Sequence, residues 1–560
     1  MPISDSLDAR LSISHDQHKG WVTNVVNGKD LGHRDVTVFR GALKYAPAGN
    51  FSATLSGEYD RARNGSPIVV AGDLPGEAEF VAAGVQGMYP SPCQPNQRCV
   101  APSTYYSALS GVPDISNMDT YRTNLTMTLK HTAVGDITSI TGYRYFKLLE
   151  YTDQDGTPVF EDDTRRRTHG WQLSQELRTD VNLTRSVNMI AGGLFMATHY
   201  DHDQDFRIQF AAPGLLQINL QDQGNWSGSF FSQFYAHVTD QLRLQAGIRY
   251  THEETNMLAS TATSINVSGM TDFDGTGNVA LGTVAPPRGR KTWDNVGWKL
   301  GADYKVTPDV LLYAYWARGF KSGGYTGRIG IAQDLGPYNP EHVDTYEAGV
   351  KADFLDRHLR TNVSAFFTNY RNMQLAQIYF VGSGQSIVQG NTILNAASSH
   401  LKGFEAEVVA APVYGLTLKG SLAYLSAKYS QFPFLLPNGS TLNLAGQTLQ
   451  NAPEWTAATS ATYEFPIAGE IKGRANVQWT YSSEKLMTSI VQTARATIQS
   501  QSLVNANFDV MINPKLTVSV WATNLFNHHY INSVYDAPGT LGLVNYAPPL
   551  EWGVSAGYRF

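Results

Sequence analysis

Basic and aromatic side chains lie close together near the middle of the chain, where the regular alternation of apolar and polar residues stops. Arg318, Lys321, Tyr325 and Arg328 all fall within the segment 318–328. An arginine guanidinium makes paired hydrogen bonds to anionic oxygens, a geometry that suits carboxylates and similar groups. Because binding residues are concentrated in loops, the segment is predicted to contact an anionic ligand. An ordinary solvated loop is the alternative.

No run of charged residues in the chain is longer than Arg165-Arg166-Arg167. The same guanidinium chemistry makes these three residues a second candidate group for ligand binding. The competing interpretations are a solvated loop and contact with phosphate groups outside a binding site.

The two cysteines of the chain lie six positions apart in the segment Ser-Pro-Cys-Gln-Pro-Asn-Gln-Arg-Cys. Cys93 and Cys99 are predicted to form a disulfide, which an oxidising cell surface permits. Closing a loop this short is worth about 2.4 kcal/mol by the chain-entropy relation, and it would stiffen one loop only. A metal site is the rival interpretation, but no histidine lies nearby in the sequence.

Two segments contain residue types that bind metals. In His199-Tyr200-Asp201-His202-Asp203, a strand places His199, Asp201 and Asp203 on one face and His202 on the other. Because these side chains do not converge within the strand, we interpret them as an acidic strand end and predict no metal site. Asp153-Gln154-Asp155-Gly156 begins like a calcium loop but lacks the later glutamate, so an exposed turn is expected.

Other function classes find little support. The chain has no paired-histidine metal motif, so no catalytic residues and no enzyme activity are predicted. No glycine-rich phosphate loop lies between a strand and a helix, and no cofactor is expected. The net charge of −6, with scattered Lys and Arg, argues against nucleic-acid binding.

The elements that must position these residues are strands with one apolar and one polar face. In Leu242–Tyr250, apolar residues alternate with Arg243, Gln245, Gly247 and Arg249. The same period of two recurs in segments along the whole chain: 346–354, 474–481, 516–523 and 552–560. Trp521 departs from it, because it stands on the polar side of its strand. A soluble sandwich would show the same alternation, so the pattern alone does not decide the fold.

The lengths of the connections distinguish these folds. Short turns alternate with long loops at about 63–116, 258–291, 320–341 and 485–499. The short turns are centred on Asn513-Pro514, Thr307-Pro308-Asp309, Leu355-Asp356-Arg357, 411–415 and Gly469. This asymmetry is typical of a transmembrane antiparallel up-and-down β-barrel, with short periplasmic turns and long extracellular loops. Aromatic residues at strand ends are typical of the girdles at the two membrane interfaces. Counting the strands in up-and-down pairs predicts a barrel of about 20–22 strands.

Several segments of the second half, occurring in family order, resemble TonB-dependent outer-membrane receptors of the siderophore-receptor kind. They are Ala317–Tyr325 (A-R-G-F-K-S-G-G-Y), Tyr338–Glu341 followed by Thr345–Lys351, Asn524–Asn527 with Tyr530, and the terminal aromatic Phe560. In the first half, Leu7–Leu11 resembles an early barrel strand of the family. We interpret these motifs as structural, so they indicate the family and not the binding site.

The resemblance implies a receptor barrel in the outer membrane of a Gram-negative bacterium, which takes up a scarce nutrient such as a ferric siderophore. Phe560 would be the signal for the barrel-assembly machinery, and the arginine groups would bind the ferric chelate or lipopolysaccharide phosphates. The family begins with a signal peptide, a TonB box and a plug that couples transport to the inner-membrane TonB complex. We expect residues 1–560 to be the barrel domain, without those parts and without the first two strands.

Three other functions remain open on the sequence. An unplugged barrel of this width would be a passive pore, because its lumen is too wide for side chains to fill. An outer-membrane hydrolase is a further alternative. A chain without its first strands would also have open edges that lipid cannot satisfy, and it would then fail to assemble.

Overall fold

The computed structural model describes residues 2–68, 70–71, 106–108, 110–154, 156, 162–208, 214–265, 279–284, 287–381, 388–435, 441–487, 497–536 and 542–558. Cys93, Cys99 and Phe560 lie outside these residues, so the expected disulfide and the assembly signal stay predictions. Across the described ranges, no helix is both long enough and apolar enough to span a membrane.

One antiparallel sheet of 22 strands forms the wall of the molecule, which confirms the predicted all-β class. The strands are β1 Pro2–Ser4, β2 Leu7–His18, β3 Arg34–Tyr45, β4 Phe51–Asn64, β5 Ser116–Thr132, β6 Gly135–Asp153, β7 Asp162–Asn182, β8 Val187–Ile208, β9 Leu216–His237, β10 Leu242–Ile265, β11 Val279–Val284, β12 Arg288–Thr307, β13 Val310–Lys321, β14 Glu341–Phe354, β15 Leu359–Val381, β16 Val388–Val413, β17 Leu416–Gln431, β18 Trp455–Ala468, β19 Ile471–Ser482, β20 Gln501–Asn513, β21 Leu516–Thr523 and β22 Glu551–Tyr558. From β2 onward each long strand pairs with the next long strand along the chain, which is an up-and-down order.

The connections at one end of the sheet carry smaller elements. They are the strands Val22–Asn24, Asp30–Leu31, Val70–Ala71, Ser107–Ala108, Pro433–Leu435, Thr441–Asn443, Lys485–Leu486, Thr497–Ile498, Ile531–Asp536 and Gly542–Tyr546, and the 3-10 helix Ala332–Leu335. We call this end extracellular, because the other end has the short turns.

The sheet curls so that connections between its first strands meet the connection before its last strand at the extracellular end. Val22, Leu31 and Ile68, from connections between early strands, form one buried cluster with Val534 and Val544, from the connection before β22. The strand Gly542–Tyr546 also pairs with Val70–Ala71. Contacts between the two ends of the chain are those of a barrel, in agreement with the predicted fold.

The predicted short turns occur where the sequence placed them. β20 and β21 are joined at Pro514-Lys515, and β18 and β19 at Gly469-Glu470. Gly469 and Gly415 have φ angles of 56° and 79°, a left-handed backbone that glycine adopts without a Cβ penalty. At the extracellular end the hairpins continue well past the membrane: β10 has 24 residues, whereas about 10 suffice to cross.

The wall has an apolar outer face and a polar inner face. On β10, Leu244, Ile248 and Tyr250 are exposed on the outside, as is Phe230 on β9, which is opposite Tyr250 and 75% exposed. Arg243 lies on the other face, where it forms an ion pair with Asp303. The alternation predicted from the sequence therefore corresponds to outward and inward side chains.

Aromatic residues form a row on the outer wall. Tyr59 is opposite Tyr121, Tyr121 is opposite Tyr145, and Tyr145 is opposite Trp171 on four consecutive long strands. Such a row marks the boundary between hydrocarbon and lipid headgroups. Residues further toward the extracellular end on the same face therefore lie at headgroup level or above it.

Inward-facing polar side chains form hydrogen bonds with one another on the lumenal face of the wall. The hydroxyls of Tyr313 and Tyr315 donate to the two carboxylate oxygens of Glu347, at 2.8 and 2.6 Å. Trp521, the residue that departs from the alternation, covers Gly553 on β22, where a Cβ would come within 2.6 Å of the indole ring. The exception thus reflects a large residue packed over a glycine.

An arginine at position 244 tests which face meets lipid. Leu244→Arg is expected to lower the free energy of unfolding by about 2 kcal/mol, because it puts a cation into hydrocarbon. Gln245→Arg, one residue along and inward, is expected to change it by less than about 0.5 kcal/mol. Urea unfolding of the barrel in lipid vesicles measures both. Equal effects of the two substitutions would contradict the assigned faces.

Candidate functional site

The segment 322–340, between β13 and β14, folds inward over the extracellular end of the wall. Tyr325, Ile329 and Leu335 pack against Met257 and Trp293 on the inner faces of β10 and β12. This buries apolar residues of the segment against the wall, which fixes its position. The predicted loop at 320–341 is therefore a packed structure.

Polar contacts hold the same segment. The Thr261 hydroxyl donates to the carbonyl oxygen of Ile329 at 2.7 Å. The backbone amides of Gly330 and Ile331 donate to one carboxylate oxygen of Asp334, each at 2.8 Å. Together these bonds determine where the side chain of Arg328 projects, because Arg328 immediately precedes Ile329.

Tyr325, which the sequence analysis predicted to contact a ligand, is 7% exposed and belongs to the apolar cluster. Its ring lies over Gly289, where a Cβ would come within 2.2 Å of ring carbon Cε1. Glycine at position 289 therefore makes room for the ring, and Tyr325 anchors the segment in the described structure.

The arginine run is divided between the two faces of β7. Arg165 and Arg167 project outward and form ion pairs with Asp205 and Asp203 on β8. Arg166 projects inward, where its guanidinium lies 3.0 Å from a carboxylate oxygen of Glu150. Of the three, only Arg166 is on the face that a ligand in the barrel mouth would meet.

Arg318 also lies on the outer wall. Its guanidinium makes two hydrogen bonds to Asp344, of 2.7 and 2.8 Å, and its Cζ stands 4.1 Å from the centroid of the Trp298 ring. Arg371 contacts the same carboxylate. The Arg318 guanidinium holds the pKa of Asp344 below its ordinary value. Lys321 lies on the inner face and pairs with Glu341 at 3.4 Å.

The inner face near Arg166 brings together residues that the sequence analysis did not connect. Burial lowers the pKa of His202, and the charges of Arg166 and Arg328 lower it further. Arg328 also lies over the Phe206 ring, 5.6 Å from its centroid. The charges of two arginines from distant parts of the chain thus act on one imidazole. We call Arg166, His202 and Arg328 the inner basic cluster.

Two phenols border the inner basic cluster. The Tyr200 hydroxyl donates to Gln223 at 2.6 Å, and burial raises the pKa of Tyr200, with a further increase from Tyr338. Tyr338 belongs to the inward-folded segment. The arrangement offers guanidinium donors and aromatic faces to a ligand entering from outside. No signal within one segment could have revealed it, because Arg166 and His202 meet through strand pairing and the inward-folded segment adds Arg328.

The chain resembles receptors of known name. Over 246 residues, or 43% of this chain, it is 27% identical to the metal-pseudopaline receptor CntO of Pseudomonas aeruginosa, and the matched region spans 31% of that relative. The chain thus matches less than a third of the length of this curated relative. It is 21% identical over 340 residues to a probable TonB-dependent siderophore receptor, PiuA, of Acinetobacter baumannii; that match covers 55% of this chain and 42% of the relative.

Solved structures share the fold. The ferric yersiniabactin uptake receptor FyuA from Yersinia pestis superposes with a TM-score of 0.77 at 16% identity, over 100% of this chain and 76% of that one. The siderophore receptor PiuA from Acinetobacter baumannii gives a TM-score of 0.72 at 14% identity, over 99% and 78% of the two chains. The sequence also matches the family described as TonB dependent receptor-like, beta-barrel over residues 45–525. The chain therefore belongs to that family.

Proposed function

We propose that the chain forms the wall and extracellular binding surface of a receptor that takes up a chelated metal, most simply a ferric siderophore, with energy from TonB. The related proteins support this proposal, because their names describe receptors for metal chelates and siderophores. Energy coupling in such receptors runs through a plug. The proposal therefore concerns what the wall contributes: position in the outer membrane and selection of the ligand.

The observation that carries the proposal is the inner basic cluster. Arg166 and Arg328 project into the extracellular mouth, and the lowered pKa of His202 keeps its imidazole neutral at neutral pH. The two guanidiniums then supply the positive charge, in a shape that binds carboxylate, catecholate or hydroxamate oxygens with paired hydrogen bonds. Siderophores present such oxygens around the metal.

The aromatic residues beside the cluster add contact area. Tyr200 and Tyr338 stand next to it from the wall and from the inward-folded segment, and a flat organic chelate can lie against such rings. Lys321, on the same inner face, keeps 63% of its side chain exposed beside Glu341 and extends the positive surface. We therefore assign ligand contact to Arg166, Arg328 and Lys321 among the residues proposed from the sequence.

The outward-facing arginines have a different proposed partner. Arg165, Arg167 and Arg318 stand on the face that carries the aromatic row, toward its extracellular side, where lipopolysaccharide phosphates lie. Their carboxylate partners reduce the charge available for binding. We therefore propose that these three arginines contact the lipopolysaccharide leaflet and do not select the transported ligand.

Uptake measurements test the function directly. The barrel is expressed together with a plug, from the full-length gene, in a Gram-negative strain that lacks its own siderophore receptors and is starved of iron. Accumulation of radioactive iron from a panel of ferric siderophores is expected, and deletion of TonB is expected to abolish it. Uptake that persists without TonB, together with a large open conductance in planar bilayers, would contradict the proposal and indicate a passive pore.

Neighbouring arginines on opposite faces test the binding surface. Arg166→Ala is expected to weaken binding of the transported chelate at least about 10-fold, because a charge-assisted hydrogen bond is worth roughly 1.5–3 kcal/mol. Arg167→Ala, the matched control on the outer face, is expected to leave affinity unchanged. Fluorescence quenching by the ferric chelate measures both in purified receptor. Equal losses in the two variants would refute an inner binding surface.

A further inference from the structure

Three adjacent strands bring histidines and aspartates together on the outer wall. Asp201 on β8 is directly opposite His169 on β7 and Asp222 on β9. His169 Nε2 lies 3.1 Å from Asp201 Oδ2, and His199 Nε2 lies 3.4 Å from the same oxygen. His199 Nδ1 lies 3.7 Å from Asp222 Oδ1. Two imidazoles and two carboxylates thus share one small region.

The group is on the outward side of the wall and does not face the lumen. His199 is directly opposite Trp171, a member of the outer aromatic row, and the two ring centroids are 6.4 Å apart. Asp201 and Asp222 follow on the same face, one step toward the extracellular end. The group is therefore at the level of the lipid headgroups, separate from the inner basic cluster.

The charges around the group differ from those around other carboxylates on this wall. Asp203, Glu254 and Asp344 each pair with an arginine. Asp201 and Asp222, in the part of the chain that the structure describes, form ion pairs with histidine only. Like charges directly opposite each other on neighbouring strands are destabilising. Asp201 and Asp222 are such a pair, and among the described residues no lysine or arginine forms an ion pair with them, so another cation is needed.

We propose that His199, Asp201 and Asp222 bind a divalent metal ion of the zinc class, with His169 orienting the Asp201 carboxylate. One ligand atom from each of the three residues can be chosen so that all lie within 4.8 Å of one another. Zinc bonds of 2.0–2.2 Å in a tetrahedron place ligand atoms about 3.3–3.6 Å apart, so side-chain adjustments of up to about 1.5 Å close the site. Imidazole with carboxylate is a ligand set that zinc accepts.

The bound ion would join β8 to β9 where these strands leave the membrane. One nitrogen of His199 and one oxygen from each aspartate occupy three positions, and water fills the fourth, because the side chains are between one third and one half exposed. Carboxylates that bind a metal are themselves held by hydrogen bonds from outer groups, and His169 takes that place beside Asp201. The site is independent of the proposed uptake function, since it lies on the opposite face of the wall.

Zinc binding to the 560-residue chain in detergent tests the proposal. Isothermal titration and measurement of zinc retained after gel filtration are expected to show one Zn²⁺ per chain. His199→Gln and Asp222→Asn are each expected to weaken binding at least 10-fold, and heat-modifiable gel mobility checks that each variant is folded. Cobalt supplies a second measurement, because direct coordination gives the wild type a visible absorption band that both variants lose.

His252→Gln is the matched control. His252 Nδ1 lies 2.8 Å from Asp294 Oδ1 on the same outer wall, but this pair has no third ligating group in the described structure. Zinc affinity of this variant is expected to equal that of the wild type. The proposal is overturned if the wild type retains no zinc, or if His199→Gln and Asp222→Asn bind zinc as tightly as His252→Gln does.

Discussion

The rest of the structure depends on one constraint: every backbone amide and carbonyl in lipid must have a hydrogen-bond partner within the protein. Hydrocarbon offers no partner to an amide or a carbonyl, so each strand that crosses must pair on both sides. The ladder pairs each long strand from β3 to β21 on both sides, and early and late connections pack together at the extracellular end. Once the ladder is fixed, each residue faces either lipid or lumen, and its neighbours follow from the register.

The same constraint explains why adjacent residues of one strand can have unrelated roles. Arg166 and Arg167 differ by one position, yet one lies beside Glu150 at the barrel mouth and the other pairs with Asp203 outside. The inward-folded segment then adds Arg328 to the inner side, because Tyr325 fixes it to the wall. Residues proposed to select the ligand and residues proposed to contact lipid thus lie on opposite faces of the same hairpins.

Much of the fold could be predicted from the sequence, because the signals are local. Apolar and polar residues alternate within each strand, and residues typical of tight turns mark the short connections. The alternation in Leu242–Tyr250 and the turn at Gly469 are local signals, and both are confirmed. The family expected from four motifs is confirmed by the match over residues 45–525, and with it the outer-membrane, non-enzymatic class. Contacts between strands could not be predicted, because they depend on register. His199 and Asp201 meet on one face of β8, but only the register with β9 brings Asp222 beside them.

A nitroxide scan of residues 242–250 tests the central claim, that a single lipid-satisfied sheet divides the chain into an outer and an inner face. Single cysteines are introduced in a background without Cys93 and Cys99, and the label at each position is probed by electron paramagnetic resonance in lipid vesicles. Collision with oxygen, which dissolves in lipid, should peak at the even-numbered positions. Collision with a water-soluble nickel complex should peak at the odd ones. The same accessibility at all nine positions, or a period near 3.6, would contradict the account.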